Sequence, residues 1–348
     1  MSEVITGIQQ VGIGCVDVYE NWKWYRQTFG MDVPVFDDAA PAPLMTRYTG
    51  GEVHTRQAVL ALNMNGGGGF EIWSFKSRTP QPAAFVPELG DLGMNAVKMK
   101  AQNVALVHKT LQNKGTTGMS ELKTDPSGKD TFWITDPWGN LFQVVHGDSW
   151  FKDPEAKTGG VSGVIIAVSD IDKVLPLYTQ GLGFDQKVYD KTGTFDDLNS
   201  TNQFRRVLLK KAQKNVGAFS KLLGHVEVEL IQVLDRPTKK IFENRFWGDL
   251  GYIHVCFDTV DMDELKNRLE PLGYPFTVDS ANSFDMGEAA GRFSYIEDPD
   301  GTWIEFVQTH RVPVLKKLGW YIRLKDKKDP KPLPNWMIRA MGLNRVKD

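Results

Sequence analysis

One spacing recurs four times along this chain, and a fourfold repeat confines the fold to architectures assembled from copies of a single supersecondary unit. Each copy runs from a short apolar strand to an Asp or Asn and then through a helix that ends in Gly. Asp17 lies seven positions after Gln10, and Gly30 follows thirteen after Asp17. Gly163, Asp170 and Gly183 keep the same steps. His254, Asp261 and Gly273, and Ala96, Asn103 and Gly115, repeat the pattern with steps of seven and twelve.

The units also close alike. Asp136-Pro-Trp-Gly-Asn and Asp298-Pro-Asp-Gly-Thr match position for position. Asp, then Pro, then Gly three after the Asp is the residue order of a type I turn, so the strands that follow should each complete a hairpin. The other two units close on Phe70-Glu71 and Val228-Glu229. From opening to closing position the spans are 61 residues for Gln10 to Glu71, 47 for Ala96 to Gln143, 66 for Gly163 to Glu229 and 51 for His254 to Glu305. Long and short copies alternate, so the larger repeating block is a pair.

With 348 residues and 41% hydrophobic content the chain can build two cores. It has no run of eighteen apolar residues and no signal-like start, which leads to the expectation of a cytoplasmic protein without membrane contact. Its two cysteines, Cys15 and Cys256, fall inside opening strands and read as buried free thiols. A formal net charge of -2 makes no case for nucleic acid. The polar, Pro- and Gly-bearing stretch 147–160 reads as a linker. Beyond His310, residues 311–348 carry eleven Lys and Arg against three Asp, a charge of +8 that leaves -10 elsewhere. Two aromatic clusters in this extension, at Trp320-Tyr321 and Trp336-Met337, imply docking, either on the chain's own acidic body or on a second subunit of a homodimer.

The arrangement resembles the vicinal oxygen chelate superfamily, which includes glyoxalase I, extradiol ring-cleaving dioxygenases and fosfomycin- and bleomycin-resistance proteins. The resemblance covers roughly residues 5 to 310. It rests on Asp17 with Trp24-Tyr25 and Phe29-Gly30-Met31, on Asp170 with Tyr178 and Leu182-Gly183-Phe184, and on the two Asp-Pro-x-Gly closings. It implies an α+β fold in which βαβββ modules pair into open barrels around a cavity, with a divalent metal on the first and last strands. The expected division is a first glyoxalase-like domain at 1–148, degenerate in its site, a second at 158–310, and the basic extension at 311–348.

Strand side chains alternate, so opening and closing residues of paired modules can share one cavity. In the first expected domain these are Gln10, Glu71, Ala96 and Gln143, and in the second Gly163, Glu229, His254 and Glu305. Imidazole and carboxylates suit one borderline divalent ion, such as zinc, manganese, iron, cobalt or nickel. The second set offers three such donors, which makes Glu229, His254 and Glu305 the expected metal ligands and Glu305 and Glu229 the expected catalytic groups. Ring-cleaving relatives carry a His where Gly163 stands. Glyoxalase-like members use two Glu with His and Gln, and proton transfer follows. The resemblance therefore implies a metal-dependent lyase or isomerase acting on a small α-oxygenated carbonyl substrate by stabilising an enediolate. An extradiol-type dioxygenase is the alternative, and a metal-free small-molecule binding protein a further one.

Duller readings stand beside these. His254 can be a satisfied wall residue of the cavity. His225 shares strand parity with Glu227 and Glu229, so it either joins the cavity or sits at the strand mouth in water. The Gly66 to Gly69 run lacks a following Lys-Ser or Lys-Thr and reads as a flexible loop. Loops at Tyr189–Arg206 and Ser280–Gly291 carry no readable substrate signature.

Overall fold

The computed structural model describes residues 3–211, 216–281, 284–285, 290–315, 320–324 and 331–347. Four βαβββ modules follow one another. The first holds β1 (Ile5–Gly14), α1 (Val18–Phe29), β2 (Val33–Pro41), β3 (Thr55–Leu62) and β4 (Gly69–Phe75). The second holds β5 (Gly93–Ala101), α2 (Val104–Asn113), β6 (Lys123–Thr124), β7 (Asp130–Thr135) and β8 (Leu141–His146). In the third are β9 (Thr158–Ala167), α3 (Ile171–Pro176), β10 (Gln186–Gly193), β11 (Phe204–Lys210), the short α4 (Ser220–Leu223) and β12 (Glu227–Val233). The fourth comprises β13 (Gly251–Thr259), α5 (Met262–Leu269), β14 (Val278–Asp279), β15 (Phe284–Asp285), β16 (Ala290–Glu297) and β17 (Trp303–Thr309).

The recurring Asp or Asn is the helix N-cap in every module. Asp17, Asn103, Asp170 and Asp261 each accept backbone N–H groups from the first turn, satisfying donors that the helix cannot. The recurring Gly30, Gly115, Gly183 and Gly273 all sit at positive φ, where the chain leaves the helix. The two closings are also superimposable in detail. Asp136 Oδ1 accepts the N–H groups of Trp138 and Asn140, and Asp298 Oδ1 those of Asp300 and Thr302.

Strand pairing departs from the expected domains at 1–148 and 158–310. Each module orders its strands with the first beside the last, which leaves the first strand one free edge. β1 pairs there with β13, joining modules one and four in a nine-stranded sheet. β5 pairs with β9, joining modules two and three in an eight-stranded sheet. We call these barrel A and barrel B. The stretch read as an interdomain linker therefore connects β8 to β9 within barrel B. Modules one and two do meet, but through their backs: Tyr25 on α1 donates to Asp136 at 2.7 Å. Such a contact looks the same in sequence whichever module supplies the strand edge.

Three faces result. The largest core lies between the sheets and includes Val11, Phe70, Val97, Phe142, Val164 and Phe257. Smaller clusters fill the concave side of each barrel, with Trp73, Trp247, Tyr295 and Trp303 in barrel A and Trp133, Ile165, Leu198 and Phe204 in barrel B. The Gly66–Gly69 run is no loose loop, because it threads between the barrels. Gly67 bonds to Leu222, Gly160 to Gly66, and Gly68 and Val161 bond each other, while a Cβ on Gly67 would come within 2.6 Å of Gly160. The extension adds a hairpin of β18 (Arg311–Leu315) and β19 (Trp320–Arg323) and the helix α6 (Asn335–Met341). Leu333, Met337 and Ile338 pack on Val33, Leu62, Met64 and Leu222, and Arg345 pairs with Asp32 at 3.3 Å, so the end of the extension docks on the chain's own body. Gly319, part of one aromatic cluster in the extension, and half of the 280–291 loop, residues 282–283 and 286–289, lie outside the described residues. Among those described, no helix is long and apolar enough to cross a membrane.

Candidate metal centre

The fourfold register holds. Gly12 faces Glu71 across β1 and β4 as Ile165 faces Glu229 across β9 and β12, and Cys256 faces Glu305 as Lys98 faces Gln143. Because the barrels join modules one and four, the four positions regroup. Barrel A receives Gln10, Glu71, His254 and Glu305. Barrel B receives Ala96, Gln143, Gly163 and Glu229.

In barrel A the donors converge. Ligand atoms of Glu71, His254 and Glu305 all lie within 4.8 Å of one another. His254 Nε2 is 3.0 Å from Glu305 Oε2 and 3.5 Å from Glu71 Oε2. Gln10 Nε2 donates to Glu305 Oε2 at 3.4 Å. The ring of His254 fits because its cross-strand neighbour is Gly12, where a Cβ would fall 2.4 Å from His254 Cε1. Trp247 lies parallel to the imidazole at 6.2 Å between centroids, and Tyr295 meets it edge-on at 5.6 Å. Trp73 packs behind Trp247 at 4.8 Å.

The electrostatics are those of a site short of positive charge. Burial raises the Glu71 carboxyl to about 7, opposed by His254 and reinforced by Glu305. Burial pulls His254 down, yet the Glu305 and Glu71 carboxylates outweigh it and leave the imidazole raised. His254 Nδ1 and Gln10 Oε1 are buried without a hydrogen-bond partner among the described residues. Two carboxylates, one imidazole and an amide oxygen that can rotate toward them form a donor set that a borderline divalent ion satisfies. The residues fit a metal.

Glu229 does not join them, and its expected roles as ligand and catalytic group are corrected here. It lies in the other sheet, fully buried, where Arg206 Nε reaches its Oε1 at 2.7 Å, Tyr189 donates to the same oxygen at 2.8 Å, and Lys98 Nζ stands 2.7 Å from Oε2. Burial would raise its pKa, but Arg206 and then Lys98 reverse this and hold it at about 2. Both lone-pair sets are committed. The place of Glu229 in the cluster is taken by Glu71, which sequence reasoning assigned to the correct repeat position and the wrong barrel. Gln10 was likewise visible as an opening residue. His225 sits in solvent against Asp148 at 3.0 Å and supplies no ligand.

A family model matches residues 7–144 and 160–306, spanning both halves of the repeat. The chain belongs to the Glyoxalase/Bleomycin resistance protein/Dioxygenase superfamily. Among solved structures, glyoxalase I from Zea mays superposes with a TM-score of 0.53 at 15% identity, over 87% of this chain and 92% of that one. A putative dioxygenase from Bacillus subtilis superposes with a TM-score of 0.58 at 13% identity, over 99% of this chain and 98% of that one. At such identities the likeness is one of fold. No curated protein sequence matches the chain. This superfamily member thus combines a barrel with a converged donor set and a barrel in which the equivalent positions are Ala96, Gln143, Gly163 and a Glu229 held in ion pairs.

Proposed function

We propose that barrel A is the active site of a metal-dependent lyase or isomerase acting on a small α-oxygenated carbonyl compound. The observation that carries this reading is the convergence of Glu71, His254 and Glu305 within 4.8 Å, with Gln10 beside them. These residues would hold one divalent ion. When bound, the ion supplies Lewis acidity that polarises the substrate carbonyl.

The remaining chemistry falls to the chain. A proton must leave the carbon next to the carbonyl and return, and a carboxylate near neutrality in its pKa is suited to both transfers. Glu71, which stands farther from His254 than Glu305 does (3.5 Å against 3.0 Å) and whose carboxyl burial raises in the metal-free chain, is the group assigned that role. Glu305 stays with His254 and fixes the imidazole, while Gln10 anchors Glu305. Trp73, Trp247 and Tyr295 exclude water from the carbanion-like species. A cleft of about 460 Å³ opens next to β13 and β17, lined by Tyr48, Phe242, Ile253 and Trp303 together with the charged Arg47, Lys240, Glu297 and Asp300. Ile253 adjoins His254, and Trp303 precedes Glu305 by two on the same strand, so this cleft is the approach for substrate. The extradiol reading calls for two imidazoles and one carboxylate, whereas the cluster has one and two.

Metal analysis of purified protein, paired with turnover assays on hemithioacetals, 2-substituted acyl thioesters and catechols under air and under nitrogen, tests the proposal. One ion per chain and oxygen-independent exchange of the substrate C–H with deuterated solvent are expected. Iron- and oxygen-dependent catechol cleavage would replace it with the dioxygenase reading. Tight binding of a small molecule with neither metal nor turnover would leave a binding protein.

A further inference from the structure

Barrel B has lost the metal donors but kept a cavity. A cleft of about 480 Å³ opens at its mouth, lined by Met119, Trp133, Leu141, Leu198, Asn199 and Ser200 among others. The lining is mixed, with an indole and aliphatic side chains between hydroxyl and amide rims, and its carboxylate, Glu88, is largely exposed and stands 3.6 Å from Arg236.

Two buried oxygens near it, Gln143 Oε1 and Asp197 Oδ2, have no hydrogen-bond partner among the described residues. Gln143 is the next residue of the same parity after Leu141 on β8 and the cross-strand neighbour of Trp133, so it lies one layer below the lining. It is 1% exposed, and its Oε1 has no hydrogen-bond partner among the described residues. Asp197, on the turn that carries Leu198, gives Oδ1 to Arg206 at 2.7 Å and leaves Oδ2 without a partner. Its carbonyl accepts from Trp133 Nε1 at 2.5 Å, tying the turn to the indole. Buried amides are normally paired, and an unpaired one is costly to keep from water. Deeper still, Lys98, Arg206 and Lys210 are matched against Glu227, Glu229 and Asp197 by contacts of 2.7 to 3.1 Å. Every cation of the floor is spent on a carboxylate, so no charge is left over for an ionic ligand.

We propose that barrel B binds a small uncharged ring compound bearing a carboxamide or lactam group. The ring stacks at Trp133. Its amide pairs with the Gln143 amide, which offers both a donor and an acceptor, and an N–H of the ligand reaches Asp197 Oδ2. The site stands on barrel B alone and is independent of the chemistry proposed for barrel A.

Calorimetric titration and ligand-observed saturation-transfer NMR on the full chain, with benzamide as probe and benzoate and benzylamine as charged controls, test this. Benzamide is expected to bind at least tenfold more tightly than either control. Gln143→Leu should weaken it tenfold or more, and Ser200→Trp, at the cleft rim and outside the core, should block it while leaving the melting temperature unchanged. His254→Ala should leave it intact. The proposal is overturned by no binding at millimolar probe, by equal affinity for benzoate, or by binding that Gln143→Leu and Ser200→Trp both leave unchanged.

Discussion

The two barrels are built on one plan and differ at several interior positions, three of which change the charge and room of the cavity. His254 in barrel A corresponds to Ala96 in barrel B, Cys256 to Lys98, and Ala58 to Arg206, as the shared register shows. The substitutions are coupled. Where the imidazole is present its neighbour is Gly12, and where it is absent the neighbour is Ile165. Where two cations have entered, Glu229 is held at about 2. Without them the equivalent Glu71 rises to about 7. The carboxylate at one repeat position is therefore held well below its usual range in one barrel and raised in the other, as its neighbours differ.

The largest effects should fall on barrel A. His254→Ala should reduce metal affinity by at least about 100-fold, more than loss of an outer-shell partner does, and competition with a chromogenic chelator reads this directly. Glu71→Gln should retain metal more nearly but lower kcat by about 10²- to 10⁴-fold, the range for a lost general base. Ala96→His in barrel B should create no second site, because Ile165 occupies the space that Gly12 leaves open. Two ions per chain in that variant would break the comparison.

Stability should respond in the opposite barrel. Arg206→Met strands Glu229 and Asp197 without their buried partner, and breaking such a pair costs about 3–5 kcal/mol. The loss should be read by denaturant unfolding. Adding Glu229→Met should recover a good part of it, since a buried pair replaced by apolar side chains is often neutral. An Arg206→Met chain as stable as the parent would show that the ion network does not hold barrel B together.

The barrels should also answer pH in opposite senses in the metal-free protein. Glu71 has a raised folded pKa, so its contribution to stability is full below 4.5 and fades as pH rises through about 7, and raised His254 acts in the same direction. Glu229 has a lowered one, so its contribution is full above 4.5 and is lost as pH falls through about 2. Glu71→Gln should flatten the decline of melting temperature between pH 5 and 8, and Glu229→Gln should flatten the acid limb below pH 4. If neither variant changes the profile, other groups govern it.

The repeat, the caps and the turn at each closing were legible because local chemistry dictates them. Asp17 and Asp170 must satisfy helix N–H groups within their own segments, and Gly30 must leave a helix at positive φ. Partner choice was not legible. β1, β5, β9 and β13 are all largely buried strands that mix apolar residues with a few polar ones, so hydrophobic pattern does not discriminate between their edges. That one ambiguity moved Glu71 and Gln10 into the site and Glu229 out of it. A signal did exist in Gly12, an interior glycine opposite the strand of His254, which marks where a ring needs room. Arg206 and Lys98 also lie on strands at positions whose parity points inward, next to Glu229, and buried cations there announce a carboxylate already paired.

The smallest predicted effect concerns what the barrels share. The caps on α1 in barrel A and α2 in barrel B serve the same purpose, so their loss should cost each barrel a similar amount, about 1 kcal/mol for a cap replaced by Ala. They are not identical. Asp17 accepts from two N–H groups, those of Tyr19 and Glu20, and its full charge meets the positive end of the helix, whereas Asn103 accepts only from Leu106 and is neutral. Asp17→Ala should therefore be the costlier by a few tenths of a kcal/mol, and the gap should close in high salt as the charge is screened. Metal affinity should be unchanged in both variants, because neither cap touches the cavity. A cap variant that weakened metal binding as strongly as His254→Ala would mean that helix docking, rather than the converged donors, controls the centre, and the functional contrast between the barrels would have to be sought outside their interiors.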